Sequence, residues 1–105
     1  MRIYISGPRT RIPELNRVAF MEADEWLTSL GHTPLNPATI HLPDGTRWEG
    51  WMRADINLLM AADGVALLPG WENSRGANIE RSLAIALGFD VRPLGHWNPV
   101  ERNAS

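Results

Sequence analysis

The chain has 105 residues, all ten of its basic side chains are arginine, and twelve acidic residues bring the formal charge to −2, which fits a single domain over 1–105 and excludes a basic nucleic-acid surface. Hydrophobic residues make up 44% and charged residues 21%, and no apolar run approaches the roughly 20 residues that cross a bilayer, so a membrane span and a disordered chain are both excluded. The absence of cysteine and lysine removes a thiolate nucleophile, a cysteine zinc site, a Schiff base and a P-loop lysine, leaving carboxylates, hydroxyls, histidine and arginine for any chemistry.

The first element is a strand over Arg2-Ile3-Tyr4-Ile5-Ser6, β-branched and aromatic and cut off by Gly7-Pro8; it is expected at the centre of the sheet. Pro13 suits a first helical turn, and Leu15, Val18, Ala19, Met21, Trp26, Leu27 and Leu30 recur at helical spacing up to Gly31, which predicts an amphipathic helix of about 17 residues. His32-Thr33-Pro34-Leu35 reads as a short edge strand, because proline cannot donate to a ladder. Residues 36–50 hold Pro37, Pro43 and Asp44-Gly45 with little periodicity and read as a loop.

From Trp48 the spacing of Trp51, Met52, Ile56, Leu59 and Met60 predicts a second helix, stopped at Asp63-Gly64. Val65-Ala66-Leu67-Leu68 lies between Gly64 and Pro69-Gly70, as expected for a strand buried on both faces of a parallel sheet. A second loop, 70–76, leads into a third helix ending at Gly88. The last strand is predicted over Asp90-Val91-Arg92-Pro93-Leu94, and 95–105 reads as a polar tail. Strands alternating with helices imply an α/β chain with a small parallel sheet and helices on both sides.

Ligands of such sheets sit beyond the carboxyl ends of the strands. Two loops therefore matter: Ser6, Gly7, Pro8, Arg9 and Thr10 after the first strand, and 69–76 after the buried one. The second ends in Asn73, Ser74, Arg75 and Gly76 at a helix N-terminus, where free N–H groups and the macrodipole favour an anion such as a phosphate or carboxylate. Asn73 or Ser74 serves equally as a plain helix cap, with Arg75 a solvated charge.

Glu80 falls beside the apolar positions Ile79, Leu83, Ala84 and Leu87, one turn after Gly76, so its carboxylate is directed inward; pairing with an arginine on an exposed flank is the bland alternative. Asp55 repeats the feature between Trp51, Met52, Leu58 and Leu59. Two carboxylates facing one pocket can be driven to different pKa values, one nucleophilic and one proton-donating, as cleavage of a glycosidic bond requires. Asp63 reads as a turn residue. His32, His41 and His96 show no metal-ligand spacing. Trp48, Trp51 and Trp71 flank the loops and suit either stacking on a base or plain burial. No G-x-G-x-x-G, G-x-S-x-G or Walker pattern supports hydride transfer, serine hydrolysis or NTP hydrolysis.

The start I-Y-I-S-G-P, the stretch D-I-N-L-L-M-A-A-D-G-V-A-L-L-P-G-W from Asp55 to Trp71, and S-R-G-A-N-I-E-R-S-L-A-I-A-L-G from Ser74 to Gly88 resemble the nucleoside 2-deoxyribosyltransferase superfamily, and within it short phage and bacterial domains of unknown function. The resemblance covers roughly residues 2 to 94 and implies a doubly wound, flavodoxin-like (Rossmann-like) three-layer α/β/α fold that cleaves or transfers the N-glycosidic bond of nucleosides or nucleotides. It implies Glu80 as the nucleophile at the anomeric carbon and Asp55 as its assistant at the sugar and base. It also implies that Ser74, where typical transferases carry an aspartate, holds a 5'-phosphate and thus favours a nucleoside 5'-monophosphate; an aspartate would repel the group that a hydroxyl, helix N–H groups and Arg75 attract.

The first loop, S-G-P-R-T, departs from the glycine-serine loop followed by arginine of the phosphate-preferring hydrolases. Phe89-Asp90 likewise replaces the more usual lysine-proline. The resulting expectation is a (deoxy)nucleoside 5'-monophosphate N-glycosidase with catalytic Glu80 and Asp55. Tyr4, the residues 6–10 and 73–76 contact substrate or phosphate, and Trp48, Trp51 and Trp71 form the base pocket. The alternatives are a 2-deoxyribosyltransferase on free nucleosides and a non-catalytic nucleotide-binding module. No metal or organic cofactor is expected. The expected partners are a small-molecule nucleotide or nucleoside, no nucleic acid and no membrane. A chain of this size also gains from packing against copies of itself, in a homodimer or larger assembly. The start lacks the apolar core of a signal peptide, which predicts a cytoplasmic location.

Overall fold

A computed structural model describes residues 1–101. Four strands, β1 (Arg2–Ser6), β2 (Thr33–Leu35), β3 (Gly64–Leu67) and β4 (Asp90–Pro93), form one sheet in the order β2-β1-β3-β4. Every pairing is parallel, with Ile3 opposite Pro34 and Gly64, and Val65 opposite both Tyr4 and Val91. The proline-bearing β2 lies at an edge, where its missing N–H costs no ladder bond. Three helices connect the strands: α1 (Arg17–Ser29), α2 (Trp48–Leu59) and α3 (Arg75–Ala86).

Alternation along the strands divides the core in two. Ile3 and Ile5 of β1, with Ala66 and Leu68, pack against Phe20, Ala23 and Leu27 of α1. On the opposite face Tyr4, Val65 and Leu67 meet Leu59 of α2 and Ala84 of α3. The result is a three-layer α/β/α arrangement with α1 on one side and α2 and α3 on the other. None of the described helices is long and apolar enough to cross a membrane.

Three expectations change. The first helix does not start at Pro13: Pro13–Asn16 form a tight turn in which Glu14, Leu15 and Asn16 are left-handed, with φ of 53°, 54° and 59°. Asn16 donates from Nδ2 to the Pro8 carbonyl at 2.9 Å, and Arg9 Nε to the Leu15 carbonyl at 3.3 Å, so tertiary bonds override the helical start that proline favours. The buried stripe of α1 is accordingly Phe20, Ala23 and Leu27, while Val18 is 63% exposed.

The predicted polar tail is also anchored. After a short turn at Leu94–His96, Trp97 enters the α1-side core at 4% exposure and Val100 N–H bonds the Leu30 carbonyl at 2.8 Å. A Cβ on Gly64 would lie 2.6 Å from the Trp97 ring, so the absent side chain makes room for it. Residues 102–105 of that predicted tail lie outside the described residues. On α3 the sheet-facing positions are Ala77, Glu80 and Ala84, and Ile79, Ile85 and Leu87 are exposed. The helix sits close to the sheet on small residues, with Leu83 packed at the edge of that core and Ile79 and Ile85 facing outward.

Candidate functional site

The site begins with the way α3 starts. Gly70, at φ 88°, turns the chain out of the β3 end, and Ser74 takes an extended conformation as N-cap, its Oγ accepting from Ala77 N–H at 3.2 Å. Two residues on, Gly76 faces α2: a Cβ there would lie 3.0 Å from Met52 Sδ. That close approach sets the N-terminal turns of α2 and α3 side by side. The cleft between them and the loop after β1 is lined by Gly7, Pro8, Arg9, Thr10 and Arg11, by Leu15, by Trp48, Trp51, Met52 and Asp55, and by residues 73–77 with Glu80. Its volume of about 560 Å³ lies within the range of small-molecule sites.

Glu80 lies at the floor, 4% exposed. Its Oε2 accepts from the Tyr4 hydroxyl at 2.7 Å and its Oε1 from the Ser6 hydroxyl at 2.7 Å. The period of two along β1 produces this clamp: Tyr4 and Ser6 share the face opposite Ile3 and Ile5, the face that α3 covers. Asp55 reaches the same cleft from α2 at 9% exposure, and its Oδ1 is buried with no hydrogen-bond partner among the described residues. A buried carboxylate oxygen in that condition is costly unless a ligand donor meets it.

Burial dominates the electrostatics. It pushes the Glu80 carboxyl up to about 7, aided by the charge of Asp55 and opposed by the bonds from Tyr4 and Ser6 and by the charge of Arg9. It pushes Asp55 up to about 6, against Arg9. Tyr4 is raised well above its ordinary value, first by burial and then by the charges of Glu80 and Asp55, and so remains a neutral donor. Both carboxyls therefore titrate near neutrality, the range in which acid–base and nucleophilic groups operate.

At the rim, the Arg75 guanidinium lies over the Trp48 ring, 4.1 Å from its centroid. Among the described residues it forms no ion pair or hydrogen bond with a side chain, so its donors face the cleft and solvent. With Ser74, Arg75, Gly76 and the first N–H groups of α3, this end of the cleft suits an anion.

Of the residues that the sequence singles out, Gly7, Pro8, Arg9, Thr10, Asn73, Ser74, Arg75, Gly76, Trp48, Trp51, Asp55 and Glu80 all line this one cleft. Tyr4 and Ser6 do not open onto it; at 0% and 1% exposure they hold Glu80 from beneath. Trp71 lies elsewhere. It packs on the α2/α3-side core, carries Arg81 over its ring at 4.9 Å and borders a separate hollow with Ile85 and Phe89. Arg11, Leu15, Met52 and Ala77 are lining residues that the sequence reading did not assign to the site. Met52 carries the helical period of α2, whereas nothing local announces that Leu15 turns back to the cleft. Among the described residues no three His, Asp or Glu side chains converge as metal ligands would.

Residues 1–92 match the model of a family described as a domain of unknown function, DUF4406. The chain belongs to this family. The DUF4406 match runs from the start of β1 into β4 and includes every residue that lines the cleft. No curated protein matches the chain.

Proposed function

We propose that this DUF4406 domain is an N-glycosidase of (deoxy)nucleoside 5'-monophosphates. The observation that carries the reading is the pair of buried carboxyls in one cleft, Glu80 gripped by two hydroxyls and Asp55 with a free oxygen, beneath a helix N-terminus bearing Ser74 and Arg75. The strand order β2-β1-β3-β4 fits the first four strands of a flavodoxin-like sheet, which is the fold that the resemblance to nucleoside 2-deoxyribosyltransferases implies.

In this reading the phosphate lies against Ser74, Arg75 and Gly76, and the base lies toward Trp48 and Trp51. A sugar hydroxyl or base N–H meets Asp55 Oδ1. Ionised Glu80 attacks the anomeric carbon as the base departs with the glycosidic electron pair; the base takes its proton from water or from the minor fraction of Asp55 that is still protonated, since Asp55 titrates below Glu80. Water then attacks the anomeric carbon of the glycosyl ester, giving up a proton to the Asp55 carboxylate or to solvent as the bond to Glu80 breaks, which yields the free sugar phosphate and restores the Glu80 carboxylate. No metal enters these steps. Each Glu80 oxygen accepts one hydroxyl bond and keeps a second lone pair for the attack.

The burial of Glu80, which keeps part of the carboxyl protonated near neutrality, favours a second reading, in which Glu80 does not attack and the cleft holds a nucleotide without cleaving it. Transfer of the glycosyl group to a second base is the variant in which an acceptor base takes the place of water. Chromatography of free base after incubation with ribo- and deoxyribonucleoside 5'-monophosphates and the matching nucleosides decides among them. Base is expected from monophosphates only, and from none once Glu80→Ala is introduced. Full activity in that variant overturns the mechanism, base exchange between free nucleosides identifies a transferase, and thermal stabilisation without base release identifies a binding module.

A further inference from the structure

We propose that Arg9 is a positioning residue: its guanidinium, held over Phe20 and tied to two loop carbonyls, is a fixed positive charge in the cleft that holds Asp55 and Glu80 and not a ligand for the anion of the substrate. This rests on the glycosidase reading for its kinetic part alone.

The geometry distinguishes Arg9 from the other cleft arginines. Its Nε donates to the Leu15 carbonyl at 3.3 Å, its Nη1 to the Pro37 carbonyl at 3.5 Å, and its guanidinium carbon lies 5.5 Å from the Phe20 ring centroid. These partners are neutral, so they fix the group in place without cancelling its charge. Arg75, stacked on Trp48, keeps its donors available at the mouth of the cleft.

The left-handed turn at Glu14, Leu15 and Asn16 serves the same end. Consecutive left-handed residues other than glycine cost roughly 1–2 kcal/mol each, and such strain persists where the surroundings over-determine it. Here the turn directs the Leu15 carbonyl back to Arg9, and Asn16 closes it by bonding Pro8, the residue next to Arg9. The strained segment is therefore the bracket that holds the guanidinium.

The groups facing the carboxyl pair are Tyr4 and Ser6 from β1, Arg9 from the loop that follows, and Arg11 and Arg75 at the cleft wall. Among them Arg9 is the cation whose charge lowers both carboxyls. It keeps part of the pair ionised against burial, as the attack by Glu80 requires.

The test is a pH titration of the side-chain carboxyl carbons by NMR in the wild-type protein, Arg9→Gln and Arg9→Lys, alongside pH profiles of kcat/KM for a monophosphate and its nucleoside. In Arg9→Gln the Glu80 and Asp55 midpoints are expected to rise by on the order of one pH unit, with Arg9→Lys restoring most of the change. The limb of kcat/KM that reports Glu80 ionisation should move by the same amount, and the preference for the monophosphate over the nucleoside should stay within about twofold. Unmoved carboxyl midpoints overturn the proposal, as does loss of the monophosphate preference with the limb in place, which would make Arg9 an anion ligand. If Arg9→Gln fails to fold, Arg9→Met, whose unbranched chain keeps the contact with Phe20, carries the same titration. Absence of base release from the wild-type protein would end the glycosidase reading, while the NMR titration would still decide the role of Arg9.

Discussion

At the scale of single residues, the Tyr4–Glu80 bond connects β1 to the chemistry of the cleft. Both oxygens of Glu80 are occupied by hydroxyl donors at 2.7 Å, and such donors stabilise the ionised carboxylate more than its protonated form. Tyr4→Phe keeps the aromatic volume in the core and removes one donor. Glu80 should then titrate above its present value of about 7. The variant should lose about 1–3 kcal/mol of stability at pH 8, where the orphaned oxygen carries charge, and less at pH 5, where the protonated acid tolerates the loss. Urea denaturation at the two pH values checks this; equal losses would mean that Tyr4 contributes packing alone. The inward aim of Glu80 was legible from its place beside the apolar positions of α3. Its two donors were legible in principle from the period of β1, which puts Tyr4 and Ser6 on one face. Sequence reasoning instead assigned them to the ligand because they adjoin the loop at 7–10.

At the scale of elements, the strands were the most legible feature. β1 and β3 are short apolar runs bounded by glycine and proline, and their burial on both faces leaves one reading. The extents of α2 and α3 were legible, as was the side that α2 buries through Met52, Asp55 and Leu59, whereas the buried sides of α1 and α3 were legible only in part. Of the apolar positions Ile79, Leu83, Ala84 and Leu87, the fold packs Leu83 and Ala84 on the core and leaves Ile79 and Leu87 exposed, and the small Ala77 and Ala84 flank Glu80 on the side that meets Tyr4 and Ser6. Trp71 and Trp97 show the same limit: side-chain type does not reveal whether a tryptophan lines a cleft or fills a core.

The start of α1 was misread for a different reason. Pro13 and Glu14 favour a right-handed first turn, and only contacts from Pro8 and Arg9, distant in the reading of a local pattern, impose the left-handed one. A backbone substitution tests that geometry. Glu14 is exposed and at φ 53°, so Glu14→Gly removes the left-handed penalty of roughly 1–2 kcal/mol at a cost of about 0.5–1 kcal/mol in unfolded-chain entropy. A gain of about 0.5–1 kcal/mol is expected in chemical denaturation. In a right-handed helical turn the same change would destabilise by a similar amount, so the sign of the effect decides the conformation.

At the scale of the whole molecule, the buried pair makes global stability depend on pH in an unusual direction. Surface carboxylates paired with cations are depressed on folding, and a protein built on them loses stability as pH falls. Glu80 and Asp55 are shifted upward, from 4.5 to about 7 and from 3.8 to about 6. Between those values the folded chain binds more protons than the unfolded one, so this contribution is favourable near pH 4–5 and is lost as pH rises to 7. For Glu80 alone the span corresponds to on the order of 3 kcal/mol, and because the charge of Asp55 contributes to the shift of Glu80, the two do not simply add. The unfolding midpoint should therefore fall between pH 5 and pH 8. Glu80→Gln, an amide of the same shape with no charge to bury, should flatten most of that slope while remaining folded, and Asp55→Asn should remove a smaller part. A midpoint that rises from pH 5 to pH 8 in the wild-type protein, or a slope unchanged in both variants, would mean that the pair is already ionised at pH 5. The proposed glycosidase mechanism would then lose Asp55 as a source of the proton for the departing base. If the proposed function holds, a bound monophosphate acts against the fall, its sugar supplying a donor to Asp55 Oδ1 and its phosphate meeting Arg75. The stabilisation it gives should be larger at pH 7 than at pH 5, where a protonated Asp55 has less need of a donor.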